Sequence, residues 1–259
     1  MTDLRVGLSF HPGADDPGAA PESPVRPESE SCTRAHVSFG GARDVPGLVG
    51  DYLGPTEQPV FESMTGHRRV PWLLGRVAAK DAVRRHLLGQ GFADIDPSRI
   101  LVDNDANGCP RIRVQGARLA TRGVQVSIAH KPAVAVAVAA TFRVRPTPAG
   151  GPGRPAAGIG IDVEAVEPRS PSFERTVLTP AERTMEPGTD EGRDRWLTRL
   201  WAVKEAVAKS TGLGLGGRPK DFEVDGVDGE RLHCRGRWIA TEPLDTLGGH
   251  FIVAWTDSY

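Results

Sequence analysis

Two short words recur along the chain. Leu53–Glu57 reads LGPTE and Leu178–Glu182 reads LTPAE, while Ala78–Val83 reads AAKDAV and Ala202–Val207 reads AVKEAV. The offsets are 125 (178 − 53) and 124 (202 − 78), so one small gap aligns both pairs. In each copy a proline-started segment leads to a helical stretch carrying Trp, Lys and an acid. Strand-like runs follow it: Arg99–Val102 and Val124–His130 in the first copy, Asp221–Val224 and His250–Trp255 in the second. A chain of this kind is expected to fold as two similar α/β subdomains in a pseudo-twofold, α+β arrangement. The crevice between such units is a common place for a small-molecule site.

Composition sets the boundaries. Residues 12–33 are rich in Pro, Glu, Ser and Ala, which cannot bury enough apolar surface to offset chain entropy. Residues 1–33 are therefore expected to be a flexible tail. The stretch RPTPAGGPGRP, Arg145–Pro155, marks a connection. The expected division is an N-terminal half over 34–145, a linker over 146–156 and a C-terminal half over 157–259. At 39% hydrophobic and 25% charged residues the chain reads as a soluble globular protein. A net charge of −1 disfavours a binder of nucleic acid driven by phosphate attraction. The longest apolar run, Ala133–Ala140, falls far short of the ~20 residues needed to cross a bilayer, so no membrane partner is expected. Three cysteines, Cys32, Cys109 and Cys234, lack metal-binding spacing and fit reduced thiols in a cytoplasm. The internal repeat points to a monomer.

Local patterns place the chemistry on elements. VQVSIAHKPAVAVAVA alternates with period two around a Lys-Pro turn and predicts a hairpin. Thr179, Pro180 and Glu182 form the signature of a helix start with a capping box. Asp194–Lys209 has helical periodicity, with Gly212 as a stop.

The segment GIDVE carries Asp162 and Glu164. On a strand they share one face, since side chains alternate. Two adjacent carboxylates repel unless a cation lies between them, and a hard ion such as Mg²⁺ prefers such ligands. The same pair would also serve as ordinary surface acids at a strand end. On the later helix, Trp196, Leu200, Val203 and Val207 form a packing stripe. Trp201, Glu205 and Lys209 form a second stripe, with Lys204 at its margin. By itself that second stripe could be an exposed i,i+4 ion pair worth ~0.3–0.5 kcal/mol.

GIDVE followed by WAVKEAVAK, with 43 positions from Asp162 to Glu205 (205 − 162), resembles the two-part signature of the 4′-phosphopantetheinyl transferase superfamily. The added Glu164 and the two-half length look like the Sfp type, and the basic block looks most like enzymes associated with polyketide synthases. The resemblance implies an enzyme that moves 4′-phosphopantetheine from coenzyme A to a serine of an acyl or peptidyl carrier protein. It implies Mg²⁺ held by Asp162, Glu164 and Glu205, with Glu205 or a metal-bound water it orients as base, and Lys209 and Lys204 on phosphate charge. GR-x-x-x-K, at Arg76 and Lys80, resembles the family's basic segment and implies contacts to coenzyme A phosphates. SIAHKP resembles a family motif that gives His130 a phosphate contact, with Ala129 where the family often has Ser and Lys131 as a compensating group. NGCPRI resembles a Gly-x-Pro segment whose Gly108 and Pro110 would border the adenine.

A dinucleotide fingerprint, a GxxxxGK[ST] phosphate loop, GxSxG and HExxH are all missing from the sequence. Two other readings remain beside the transferase: a non-catalytic carrier-docking module of a megasynthase, and another magnesium-dependent phosphotransferase.

Overall fold

The computed structural model describes residues 6–7, 32–38, 45–116, 123–142, 158–185, 192–212, 214–246 and 248–256. Most of the expected tail and all of the expected linker lie outside these residues.

The chain runs β1 (Val6–Gly7), β2 (Thr33–Ser38), α1 (Val45–Tyr52), α2 (Gln58–Ser63), α3 (Arg69–Gly89), β3 (Ile100–Asn104), β4 (Pro110–Val114), β5 (Val124–Lys131) and β6 (Val134–Thr141). It continues with β7 (Ile161–Ala165), α4 (Pro171–Val177), α5 (Pro180–Thr184), α6 (Arg193–Ser210), β8 (Val224–Asp228), β9 (Arg231–Cys234), β10 (Arg237–Thr246) and β11 (Gly249–Thr256). One sheet has the order β1-β2-β6-β5, a second has β7-β11-β10-β9-β8, and β3-β4 form a separate hairpin. Among the described residues the strand pairings are antiparallel throughout. Val6 and Gly7, within the segment expected to be a tail, pair with Val37 and His36 of β2.

Period-two alternation explains the layering. In β6, Ala135, Ala137 and Ala139 face α3, in one cluster with Leu74, Ala78 and Ala82. Val134, Val136, Val138 and Ala140 point the other way and pack with Ile161, Val163, Phe251, Val253 and Trp255 of the second sheet. In β11 the partition is repeated: Ile252 and Ala254 join Trp196, Leu200 and Val203 of α6. The layers are therefore helix, sheet, sheet, helix. Alanines on the helix-facing side of β6 let α3 approach closely, because close-packed interiors leave no room for larger residues there.

The recurring words turn out to be two buried braces. Lys80 is fully buried, donates to Tyr52 O and pairs with Glu57. Glu57 also accepts from Gly54 N at 3.1 Å and Val102 N at 3.2 Å. Lys204, also fully buried, donates to Glu182 at 2.8 Å, Val177 O at 3.0 Å and Pro219 O at 3.2 Å. Glu182 accepts from Thr179 N at 2.8 Å and Val224 N at 2.8 Å. The predicted capping box is present, and its acid does double duty as the brace. Each brace ties the long helix to the segment before it and to the start of a following strand. A buried ion pair survives only if its remaining bonds are satisfied, and here they are.

Lys204→Ala would leave the Glu182 carboxylate enclosed without its cation. The expected loss is about 3–5 kcal/mol of folding free energy, read from urea denaturation.

Candidate functional site

Gly160 decides where the site forms. A Cβ placed on it would stand 1.9 Å from Ala206 O and 2.8 Å from Ser210 N, so only a glycine lets α6 lie this close to β7. The strand that follows turns Ile161 and Val163 into the inter-sheet core. By alternation Asp162 and Glu164 face α6, as the sequence predicts. α6 in turn buries Trp196, Leu200, Val203 and Val207 and presents Trp201, Glu205 and Lys209 along its other stripe.

The acids are shielded from water, with Asp162 at 5% and Glu164 at 7% exposure. Lys209 Nζ donates to Asp162 Oδ1 at 2.7 Å and to Ile161 O at 3.2 Å. Asp162 Oδ2 is buried and has no hydrogen-bond partner. Burial pushes the Asp162 carboxyl up to about 6; Lys209 pulls it down, and Glu164 and Glu205 push it further up. Burial also raises Glu205, opposed by Lys209 and reinforced by Glu164. The three carboxylates from two distant stretches thus feel one another.

Glu164 is the most heavily partnered of them. Its Oε1 accepts from Lys131 Nζ at 2.8 Å and from Trp201 Nε1 at 3.1 Å, and Arg169 Nη2 stands 3.5 Å from Oε2. Arg169 also donates to Ala165 O at 3.0 Å and lies over Phe173, which meets Trp201 edge-on. These contacts went unforeseen in the sequence. Trp201 was findable, one helical turn before Glu205 on the same stripe, but nothing in the spacing marks Arg169.

Cations rim the opposite side. His130 is exposed at the end of β5 and lies beside Gly75 of α3. Burial lowers its pKa, and the charges of Lys209, Arg76 and Lys131 push the same way, so all three cations lie within electrostatic reach of His130. The Arg76 guanidinium lies 4.2 Å over the Trp72 ring, and its buried Nε has no partner. The β3–β4 turn closes one end. Gly108 adopts φ 81°, which glycine tolerates, and Asp105 Oδ1 accepts from Asn107 N and Cys109 N. Cys109 Sγ reaches Gly212 O, just past α6, at 3.7 Å. Pro110 opens β4 opposite Asn104.

Two expected site residues need correction. Lys80 and Lys204 do not reach this crevice, because each is sealed in its brace with carboxylate and carbonyl acceptors. Along α3, Arg76 lies within electrostatic reach of His130, Lys80 faces the core, and Arg84 pairs with Asp94 at 2.5 Å.

Among the described residues no three His, Cys, Asp or Glu side chains form a ready-made metal shell. Lys131, Lys209 and Arg169 neutralise the acids instead. The donor set nevertheless fits a hard divalent cation: a buried Asp162 oxygen is orphaned, and two further carboxylates raise its charge cost.

The family model of the 4′-phosphopantetheinyl transferase superfamily matches residues 158–256. A holo-[acyl-carrier-protein] synthase of Oceanobacillus iheyensis is 31% identical over 85 residues, 33% of this chain and 69% of that protein. A crystal structure of a holo-(acyl-carrier-protein) synthase from Bacillus anthracis, in complex with CoA (3′,5′-ADP), is 23% identical with a TM-score of 0.37, covering 42% of this chain and 93% of that one. A Chronobacterium ammoiniagenes apo-ACPS structure is 20% identical with a TM-score of 0.32, covering 44% and 99%.

Two measurements check the site's architecture. Gly160→Ala must push α6 off β7; the expected cost is about 1–3 kcal/mol of stability, with activity falling further than stability alone explains. For Asp162, a folded pKa of about 6 against an ordinary 3.8 means the native state holds a proton that the unfolded chain has lost. Its contribution is a penalty that grows as pH rises from 3.8 to about 6 and persists above. Asp162→Asn should therefore stabilise the metal-free protein at pH 8 by up to about 3 kcal/mol, and the gain should vanish toward pH 4.

Proposed function

The chain belongs to the 4′-phosphopantetheinyl transferase superfamily, and from that membership we propose that it converts apo to holo carrier proteins as an enzyme of the Sfp type. The carrier serine hydroxyl attacks the β-phosphorus of coenzyme A. A serine O–P bond forms, the P–O bond to adenosine 3′,5′-bisphosphate breaks, and the serine proton leaves. The observation that carries this reading is a shielded acidic cluster, with an orphaned Asp162 oxygen, facing a rim of Arg76, His130 and Lys209.

Asp162 and Glu205, with Glu164, would hold Mg²⁺. Bound there, the ion would withdraw charge from the pyrophosphate and make the phosphorus more electrophilic. Glu205 suits the role of base, because burial raises its proton affinity toward working pH. Lys209 stabilises charge on the phosphate oxygens. Arg76 and His130 take the outlying phosphates of coenzyme A, as cationic or neutral donors. The turn at Gly108 and Pro110 borders the adenine.

Duplication about a pseudo-twofold axis accounts for the paired braces and for the presence of one site rather than two. The counterpart of Glu205 is Asp81, which is buried and bonded to Tyr52 at 3.2 Å. The counterpart of β7 is β2, TRAHVS, which carries no acid. One half thus supplies the acids and the other mainly basic residues, in a single polypeptide that works as a monomer. A sparse, odd count of three cysteines fits a reducing cytoplasm. No helix among the described residues is long and apolar enough to cross a membrane. Polyketide-synthase carriers are the preferred partners in this reading.

The test is intact-mass analysis of apo carriers from fatty-acid, polyketide and peptide synthases, incubated with coenzyme A and Mg²⁺. Phosphopantetheine addition is expected for at least one, most strongly for a polyketide carrier. Glu205→Gln should abolish transfer while keeping the wild-type melting curve. No mass gain on any carrier, with a carrier bound but no affinity for coenzyme A, would instead favour a docking module.

A further inference from the structure

Lys131 sits where neither the acidic motif nor the basic segment accounts for it. It ends β5 directly after His130, and its Nζ lies 2.8 Å from Glu164 Oε1. Its charge also acts on Glu205 and on His130. Its side chain is one-third exposed, whereas Glu164 is almost wholly enclosed. Glu164 is held independently, by Trp201 Nε1 and Arg169. The carboxylate would keep its place if the ammonium left. Lysine has a flexible four-carbon stem and a point charge, so leaving is cheap compared with moving a forked guanidinium.

We propose that Lys131 is an exchangeable counter-cation: it occupies the acidic cluster when no divalent ion is present, and turns to the phosphates of the substrate when the ion enters. This rests on the reading of Asp162, Glu164 and Glu205 as the cation site. Three acids and the cations Lys131, Lys209 and Arg169 balance in the metal-free protein. An incoming divalent ion overcharges that group, and the cation with the fewest other bonds is expelled. Lys209 has a second anchor at Ile161 O and Arg169 one at Ala165 O. Lys131 is the one of the three whose side chain is held by Glu164 alone among the described residues. Alternation turns Lys131 to the face of β5 opposite His130, but its charge already acts on that ring, so a freed ammonium has the phosphate side within electrostatic reach.

The experiment measures Mn²⁺ affinity of the full chain by electron paramagnetic resonance, without substrate, and 3′,5′-ADP affinity by calorimetry. Lys131→Gln removes the competing charge. It is expected to bind Mn²⁺ on the order of tenfold more tightly, and 3′,5′-ADP with Mn²⁺ severalfold more weakly. Lys131→Arg keeps the charge in a form harder to expel and should bind Mn²⁺ no more tightly than wild type. Melting curves of both variants should match wild type, since the side chain is partly exposed. Unchanged or weaker Mn²⁺ binding by Lys131→Gln would overturn the proposal. Glu205→Gln and Asp162→Asn serve as controls that should lose Mn²⁺. If they bind it like wild type, the cation-site reading itself falls and the proposal with it.

Discussion

The contact between β7 and α6 at Gly160 is the constraint from which the site follows. A strand end and a helix that ordinarily sit a side chain apart are drawn together until backbone meets backbone. That approach brings Asp162 within 2.7 Å of Lys209 and places Glu205 in its electrostatic reach. It also explains why the acids are enclosed. Burial, rather than the neighbouring carboxylates, is the leading reason Asp162 resists ionisation, and the neighbours add to it.

A second pair of interactions keeps that contact rigid. Each long helix is pinned by a lysine whose ammonium is consumed inside the protein. Removing both ions of such a pair can be nearly harmless, whereas removing one is severe. The braces therefore act less as a source of stability than as a device that fixes helix against strand. In α6 the brace lysine and the acid of the second stripe are neighbours in sequence, Lys204 inward and Glu205 outward. The registration of Glu205 over β7 is inherited from a bond on the opposite side of the helix.

Much of this was legible in the sequence, and the misses have physical causes. Alternation gave the shared face of Asp162 and Glu164, and helical periodicity gave the two stripes of α6. The echoed words marked the two braces, because each pair of words carries both ends of one, Glu57 with Lys80 and Glu182 with Lys204. Periodicity assigns an angle around a helix but not what lies across from it, so Lys80 and Lys204 were read as ligand groups when they face the core. The run expected as a strand over Asp221–Val224 instead opens with a 3-10 turn at Pro219–Phe222 and becomes β8 only at Val224. β10 was hidden by its own Pro243. That residue pairs with Ile252 on one side and lies beyond the β9 ladder, which stops at Ala240, so its missing N–H costs nothing. Arg169 could not be found, because its partners are set by a loop path rather than by a repeat.

The sheet-on-sheet seam has a consequence for any attempt to divide the molecule. Val134, Val136 and Val138 on one side and Ile161, Val163 and Val253 on the other exist as a dry surface only because the opposite sheet covers them. Severed at the middle, either fragment would carry a wide greasy plane and would have to seek a substitute lid, most readily another copy of itself. The covalent join therefore does more than hold two units near each other: it guarantees that each plane meets its dissimilar mate instead of its own likeness, and so keeps acids opposite bases.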